Sequence, residues 1–263
     1  MSFAGLGVFA QDSAGSKNST TTSKKADKKA EKKQRINAII KQEEEGNITF
    51  RKQSVFGLQL RTNGYGAFYE MGRRKSARMA NIYTAEITEI KNRKEEKIGG
   101  AENFFSNSYV YGKINNFYQF KLGYGQQYIL GQKGNKNGVA IIASLQGGLT
   151  LGFLKPYYLD VVDSTGQSKS ITYEQDSVTF LDRGSIIGGG GFTKGWSNVK
   201  LKPGIFLKAG LRFDFGRYNE SVQALEIGMS VEAYAQEIPM IVYNDPQRLF
   251  FQGHIAFVFG RRK

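Results

Sequence analysis

The last part of the chain alternates with a period of two. Leu225, Ile227, Met229, Val231 and Ala233 share one face, and Glu226, Gly228, Ser230, Glu232 and Tyr234 share the other. Leu249, Phe251, Gly253, Ile255, Phe257 and Phe259 repeat the pattern against Gln252, His254, Ala256 and Val258. Successive side chains of an extended strand point to opposite sides of a sheet, so this period predicts strands. The same pattern upstream predicts strands over 54–62, 65–73, 81–90, 116–128, 139–153 and 204–216, eight in all. Asn63-Gly64 marks the first hairpin, because both positions of such a turn take positive φ. Two aromatics disturb the phase: Phe68 falls on the polar face, and Phe117 fits neither face cleanly.

The apolar face is continuous from strand to strand and the opposite face carries charge. A soluble sheet hides its oily face, whereas a barrel in a bilayer turns it to lipid and keeps a polar interior. The expected fold is therefore all-β, a transmembrane antiparallel up-and-down barrel of eight strands over 54–263. An even count suits closure of an antiparallel single-chain barrel. Residues 170–180 also alternate, which leaves the count open by two. With the amino terminus periplasmic, the two longest connections, one of them the excursion at 155–203, lie outside the cell. The turns after strands two, four and six lie inside and are short.

The inferred inner face carries Arg61, Lys121, Lys208 and Arg212 against Glu70, Glu86, Asp214, Glu226 and Glu232, with His254 among them. An interior of eight strands is just wide enough to be filled by side chains. An unpaired charge there costs several kcal/mol, so the expectation is a closed, salt-bridged lumen. A narrow pore ringed by charge is the alternative. The formal net charge of +14 must then lie elsewhere. Arg73, Arg74, Lys75, Arg78, Lys133, Lys136, Arg217, Arg261, Arg262 and Lys263 fall at one end of the strands and form an expected basic periplasmic rim. Its expected partners are outer-membrane lipid and an acidic periplasmic protein or cell-wall polymer, not nucleic acid.

Composition agrees with this class. There are 32 Gly and 33 Tyr and Phe together (14 + 19), suited to turns and interfacial girdles, and only 4 Pro. No run supplies ~18 consecutive apolar residues for a membrane helix. A mean hydropathy of −0.41 is compatible with a barrel, where only every second strand residue faces lipid. With no cysteine, thiolate metal sites and disulfides are excluded. Residues 1–10 end in Val8-Phe9-Ala10 and are expected to be the remainder of a signal peptide cleaved after Ala10. Residues 11–45, rich in Lys, Ser, Thr and Ala, are expected to form a disordered to helical basic periplasmic arm.

Few residues suggest chemistry, and no cofactor, metal or catalytic residue is expected. His254 is the only histidine, which excludes a multi-histidine metal site. Ser230, Glu226 and Glu232 share its inferred face; this resembles the Ser/His/acid arrangement of lipid-A-deacylating barrels, although theirs is on the outer wall, and makes a membrane-embedded lipid-A-modifying hydrolase around His254 the enzymatic alternative. Gly188 to Gly191 lacks the frame of a phosphate loop and reads as a flexible connection. Trp196, Tyr157 and Tyr158 suit an aromatic belt at headgroup level. The pattern over 54–263 resembles the small eight-stranded outer-membrane barrels of the OmpA/OmpX type, by architecture alone. The resemblance implies a membrane barrel and carries no functional residue with it. The ending Gly260-Arg261-Arg262-Lys263 departs from the terminal aromatic usual in such barrels.

Overall fold

The computed structural model describes residues 50–99, 107–135, 137–163 and 165–263, together with residue 34. The expected signal remainder at 1–10 and the arm at 11–45 lie outside the described residues, residue 34 excepted, as does Lys136.

Eight long strands close into one antiparallel barrel. In chain order they are β1 (Lys52–Arg61), β2 (Gly64–Arg74), β3 (Met79–Ile90), β6 (Asn115–Gly131), β7 (Ala140–Pro156), β11 (Lys200–Asp214), β12 (Ser221–Ile238) and β13 (Gln247–Arg262). Each pairs with its sequence neighbours, and β1 pairs with β13 from Gln53↔Arg262 to Arg61↔His254, which removes both edges. Closure matters because hydrocarbon offers no water to an unpaired strand edge. Short strands β4 (Lys97–Ile98) and β5 (Tyr109–Val110) pair with each other outside the barrel. A second small sheet has the order β10 (Ile186–Gly189), β8 (Tyr158–Val162), β9 (Ser168–Thr172).

The polarity is inside out. Phe257, Leu211 and Ile227 are 52%, 44% and 46% exposed on the outer wall, whereas Arg212 and Glu226 are fully buried within. Tyr69, Tyr83, Tyr124 and Tyr128 join the outer wall, with the Tyr83 and Tyr124 rings 5.3 Å apart. Phe68 and Phe117 both point inward and are buried. Their departure from the simple pattern has a physical reason: each ring lies over an inward glycine. A Cβ on Gly57 would stand 2.3 Å from Phe68 Cζ, and one on Gly152 would stand 2.7 Å from Phe117 Cε2. Gly123 makes the same room for Phe206.

The strands outrun their expected limits, chiefly at one end. β11 begins at Lys200 and β7 runs to Pro156, so the excursion shrinks and is itself folded. The alternation at 170–180 belongs to β9 and to helix α1 (Ser177–Leu181), outside the barrel, so the barrel count stays at eight. Gly188 and Gly189 are buried strand residues, which corrects the reading of a flexible glycine loop. A Cβ on the adjoining Gly190 would meet Tyr158 Cβ at 2.8 Å, so these glycines permit close packing.

Replacing Gly57 with Leu is expected to drive side chain into the Phe68 ring and destabilise the barrel by about 1–3 kcal/mol. Urea unfolding in lipid vesicles measures this, and adding Phe68→Ala should recover part of the loss.

Candidate functional site

A network of paired charges, apolar clusters on either side of it and a smaller group of charges around Asp214 fill the interior. Around the middle, Arg61, Lys121, Lys208 and Arg212 alternate in space with Glu70, Glu86, Glu226 and Glu232. Lys121 Nζ donates to Glu86 at 2.9 Å and to Glu232 at 2.6 Å. Arg61 ties the same two carboxylates together and donates to Ser230 Oγ at 2.7 Å. Lys208 bridges Glu86 at 3.3 Å to Glu226 at 3.6 Å. Arg212 closes the series with two parallel bonds to Glu70, at 3.0 and 2.9 Å, while its Nε donates to Glu226 at 2.9 Å. The fork of a guanidinium fits a carboxylate in this bidentate way. Gln127 adds a bond to Glu70 Oε1 at 2.8 Å, and Gln252 donates to Glu232 Oε2 at 2.7 Å. Four cations thus meet four carboxylates in one continuous network, contributed by β1, β2, β3, β6, β11 and β12.

Aromatic faces support the cations from the side. Lys208 Nζ lies 4.6 Å from the Phe68 ring centre and Lys121 Nζ 5.6 Å from that of Phe206. A ring face attracts a desolvated cation. Phe68, which broke the alternation, therefore serves the charge layer, whereas Phe117 packs with Tyr234 and Phe250.

Asp214 does not join this network. It lies fully buried with Arg262 and Lys133, Lys133 at 3.4 Å, and Arg262 Nε also donates to Gln53 at 3.0 Å. Both cations were expected on the basic rim, and both are instead turned inward and buried. The reason is phase for Arg262, which shares the inward face with Val258 and Ala256. For Lys133 it is reach, because a flexible stem in the β6–β7 turn extends to a buried carboxylate. Burial depresses the Lys133 ammonium's pKa, and the Asp214 carboxylate opposes that shift. Arg73, Lys75, Arg78, Arg217, Arg261 and Lys263 are exposed, and half-buried Arg74 caps the β2–β3 turn by donating to Ser76 O and Ala77 O.

Apolar layers lie on either side of the charges. Toward the chain termini, Phe50, Ala80, Ile129, Ala140 and Ile142 pack together, as do Val55, Phe68, Val222, Ala224, Ala256 and Val258. At the other end, Ile90, Phe117, Leu154, Tyr234 and Phe250 pack with Ile238, Met240 and Ile241. The last two belong to the β12–β13 loop, which folds across the mouth. Its Met240 O accepts from Ile114 N at 2.8 Å, and its Val242 N donates to Gly112 O at 2.9 Å. Sequence periodicity could not place this lid, because it is held by loop backbone.

The excursion beyond that mouth shares a core with β5: Leu159, Val161, Ile171, Phe180 and Ile186 pack with Tyr109. Asp176 caps α1; its carboxyl, held below the usual range first by the Thr179 hydroxyl, also accepts from Thr179 N at 3.1 Å. Trp196 lies against the outer wall, stacked on Tyr118 at 5.6 Å, and Lys155 lies 4.9 Å from its ring centre. Tyr157 departs from the expected belt: it is half-buried, and its hydroxyl accepts from Val110 N at 3.1 Å. Tyr158's hydroxyl accepts from Asn198 at 3.0 Å.

His254 is buried in the lumen with Nε2 3.3 Å from Glu226 Oε1. Ser230 Oγ is engaged by Arg61 and by Glu232 at 3.1 Å, so serine and imidazole are not joined in a nucleophile–base pair. The geometry gives no support to hydrolysis at His254.

Changing Arg212 to Met is expected to cost about 3–5 kcal/mol, because Glu70 and Glu226 would stay buried without their main cation. Equilibrium unfolding in vesicles checks this; the combined Arg212→Met, Glu70→Gln, Glu226→Gln variant should recover most of the stability.

No family model matches the chain, and no curated protein matches it by sequence. Among solved structures it is similar to Neisserial surface protein A (NspA), at 7% identity and a TM-score of 0.39, over 81% of this chain and 96% of that one. It is also similar to Ail, the attachment invasion locus protein of Yersinia pestis, at 13% identity and a TM-score of 0.35, over 82% of this chain and all of that one. The eight-stranded barrel itself rests on this chain's own strand pairing.

Proposed function

We propose that this is a non-enzymatic barrel of the outer membrane of a Gram-negative-type cell, with a structural or interaction role. The carrying observation is the filled interior: paired charges occupy its middle, apolar layers lie on both sides, and a loop covers one mouth. Such an interior does not favour conduction or a soluble substrate. What remains available to partners is the outside. At one end stands the folded head of β8, β9, β10 and α1, which would face the surroundings of the cell. At the other end Lys75, Arg78 and Arg217 project from the short turns, which would face the periplasm. Outer-membrane lipid surrounds the wall, and an acidic periplasmic protein or cell-wall polymer is the partner class suited to the turn cations.

The purified barrel in a planar bilayer is expected to give no stepwise conductance; regular unitary steps would establish the pore instead. Gentle solubilisation of outer membranes should yield a companion in fixed ratio to the barrel. Its loss on changing Lys75, Arg78 and Arg217 to Gln would place the contact on the turns, whereas loss only on shortening 158–199 would place it on the head.

A further inference from the structure

The strand register sets a row of like charges on the outer wall. Lys52 on β1 stands opposite Arg73 on β2. On its other side it exchanges backbone hydrogen bonds with Lys263, Lys52 N to Lys263 O and Lys263 N to Lys52 O, both at 2.8 Å. Arg261, two residues back along the chain from Lys263 and opposite Ser54, adds a fourth cation on the same face. All four are exposed. The alternation aims them outward, below Phe56, Met71 and Phe259, which are about half exposed on the same strands. Lys52 escaped the sequence reading, because it precedes the first clearly alternating residue.

Directly opposed side chains on neighbouring strands have Cβ atoms about 4.5–5.5 Å apart, and like charges so placed repel. Three cations abreast on three strands, with a fourth beside them, therefore call for an anion. Among the described residues no side-chain carboxylate forms an ion pair with any of the four, the nearby Asp214 being paired with Arg262 and Lys133. Their position narrows the choice. They do not project from a turn, as Lys75 and Arg78 do; they continue the outward-facing wall beyond Phe56, Met71 and Phe259.

We propose that Lys52, Arg73, Arg261 and Lys263 form a binding site for the phosphate of an anionic phospholipid in the leaflet facing the periplasm. The phosphodiester would lie across the row, with its acyl chains along Phe56, Met71 and Phe259. A lipid fits better than an acidic protein, because the row is continuous with a surface that is itself covered by acyl chains. This inference rests on the membrane placement proposed above and goes further by naming a ligand class and its residues.

The test uses the full chain reconstituted with phosphatidylethanolamine and a minor share of phosphatidylglycerol. Lipid retained on the folded barrel is weighed by native mass spectrometry. Phosphatidylglycerol should be enriched on the wild-type protein. The enrichment should fall about fivefold for each cation removed by Lys52→Gln, Arg73→Gln, Arg261→Gln or Lys263→Gln, the effect of one basic residue at an anionic surface. The charge-keeping Arg73→Lys should retain it. Heat-sensitive gel migration confirms that each variant is folded. Equal enrichment in the variant lacking all four cations would overturn the site, as would no enrichment on an inserted wild-type barrel. Loss of a protein companion with lipid unchanged would give the row to that companion. Failure of the chain to insert at all would instead sink the membrane placement.

Discussion

Everything in this molecule follows from placing eight charged groups where water does not reach. A carboxylate carried into a low-dielectric interior costs several kcal/mol after relaxation, and only close, well-aimed partners offset that. The barrel supplies such partners by alternation: each strand that turns Leu, Ile or Phe toward lipid must turn its next residue inward. Arg212 meets Glu70 and Glu226, and Lys121 meets Glu86 and Glu232, because register brings six strands to a common level. The middle of the interior is therefore a layer of alternating charge, with aromatic faces closing the gaps beside Lys121 and Lys208.

The glycines are the other half of this arrangement. A lumen of eight strands has little room for a phenyl ring beside a long cation. Gly57, Gly123 and Gly152 give up their side chains where Phe68, Phe206 and Phe117 lie across them. Residues that seem to spoil the period-two pattern are thus matched to vacancies on adjacent or nearby strands. The pairing is invisible along the chain, because the ring and its glycine belong to different segments of sequence.

That contrast explains what was legible beforehand. Period and polarity are local, so the strands, their inward charges and the closed barrel could be read from Leu225, Glu226 and their equivalents. Arg262 was also legible in principle, being in phase with Ala256 and Val258, although it stands in a run of three basic residues. Lys133 was not legible, since it reaches Asp214 from a turn. Nor was the lid at 239–242, whose hold on Gly112 and Ile114 is made by backbone atoms. Gly188 and Gly189 looked loose in sequence and are buried in a strand, because glycine signals close approach as readily as freedom.

The network also constrains how the protein can be assembled. Arg61 belongs to the first strand and its partner Glu232 to the seventh, 171 residues later. Contacts so remote along the chain form slowly, after most of the chain has been ordered. Until β1 and β13 meet, Arg61 has Glu86 of β3 within reach but lacks Glu232, and must keep some hydration on that side. A half-built sheet would consequently hold water along its concave side, and sealing the last seam would expel it. Barrel closure and drying of the interior would then be a single event, which leaves an unclosed intermediate poorly suited to remain in hydrocarbon.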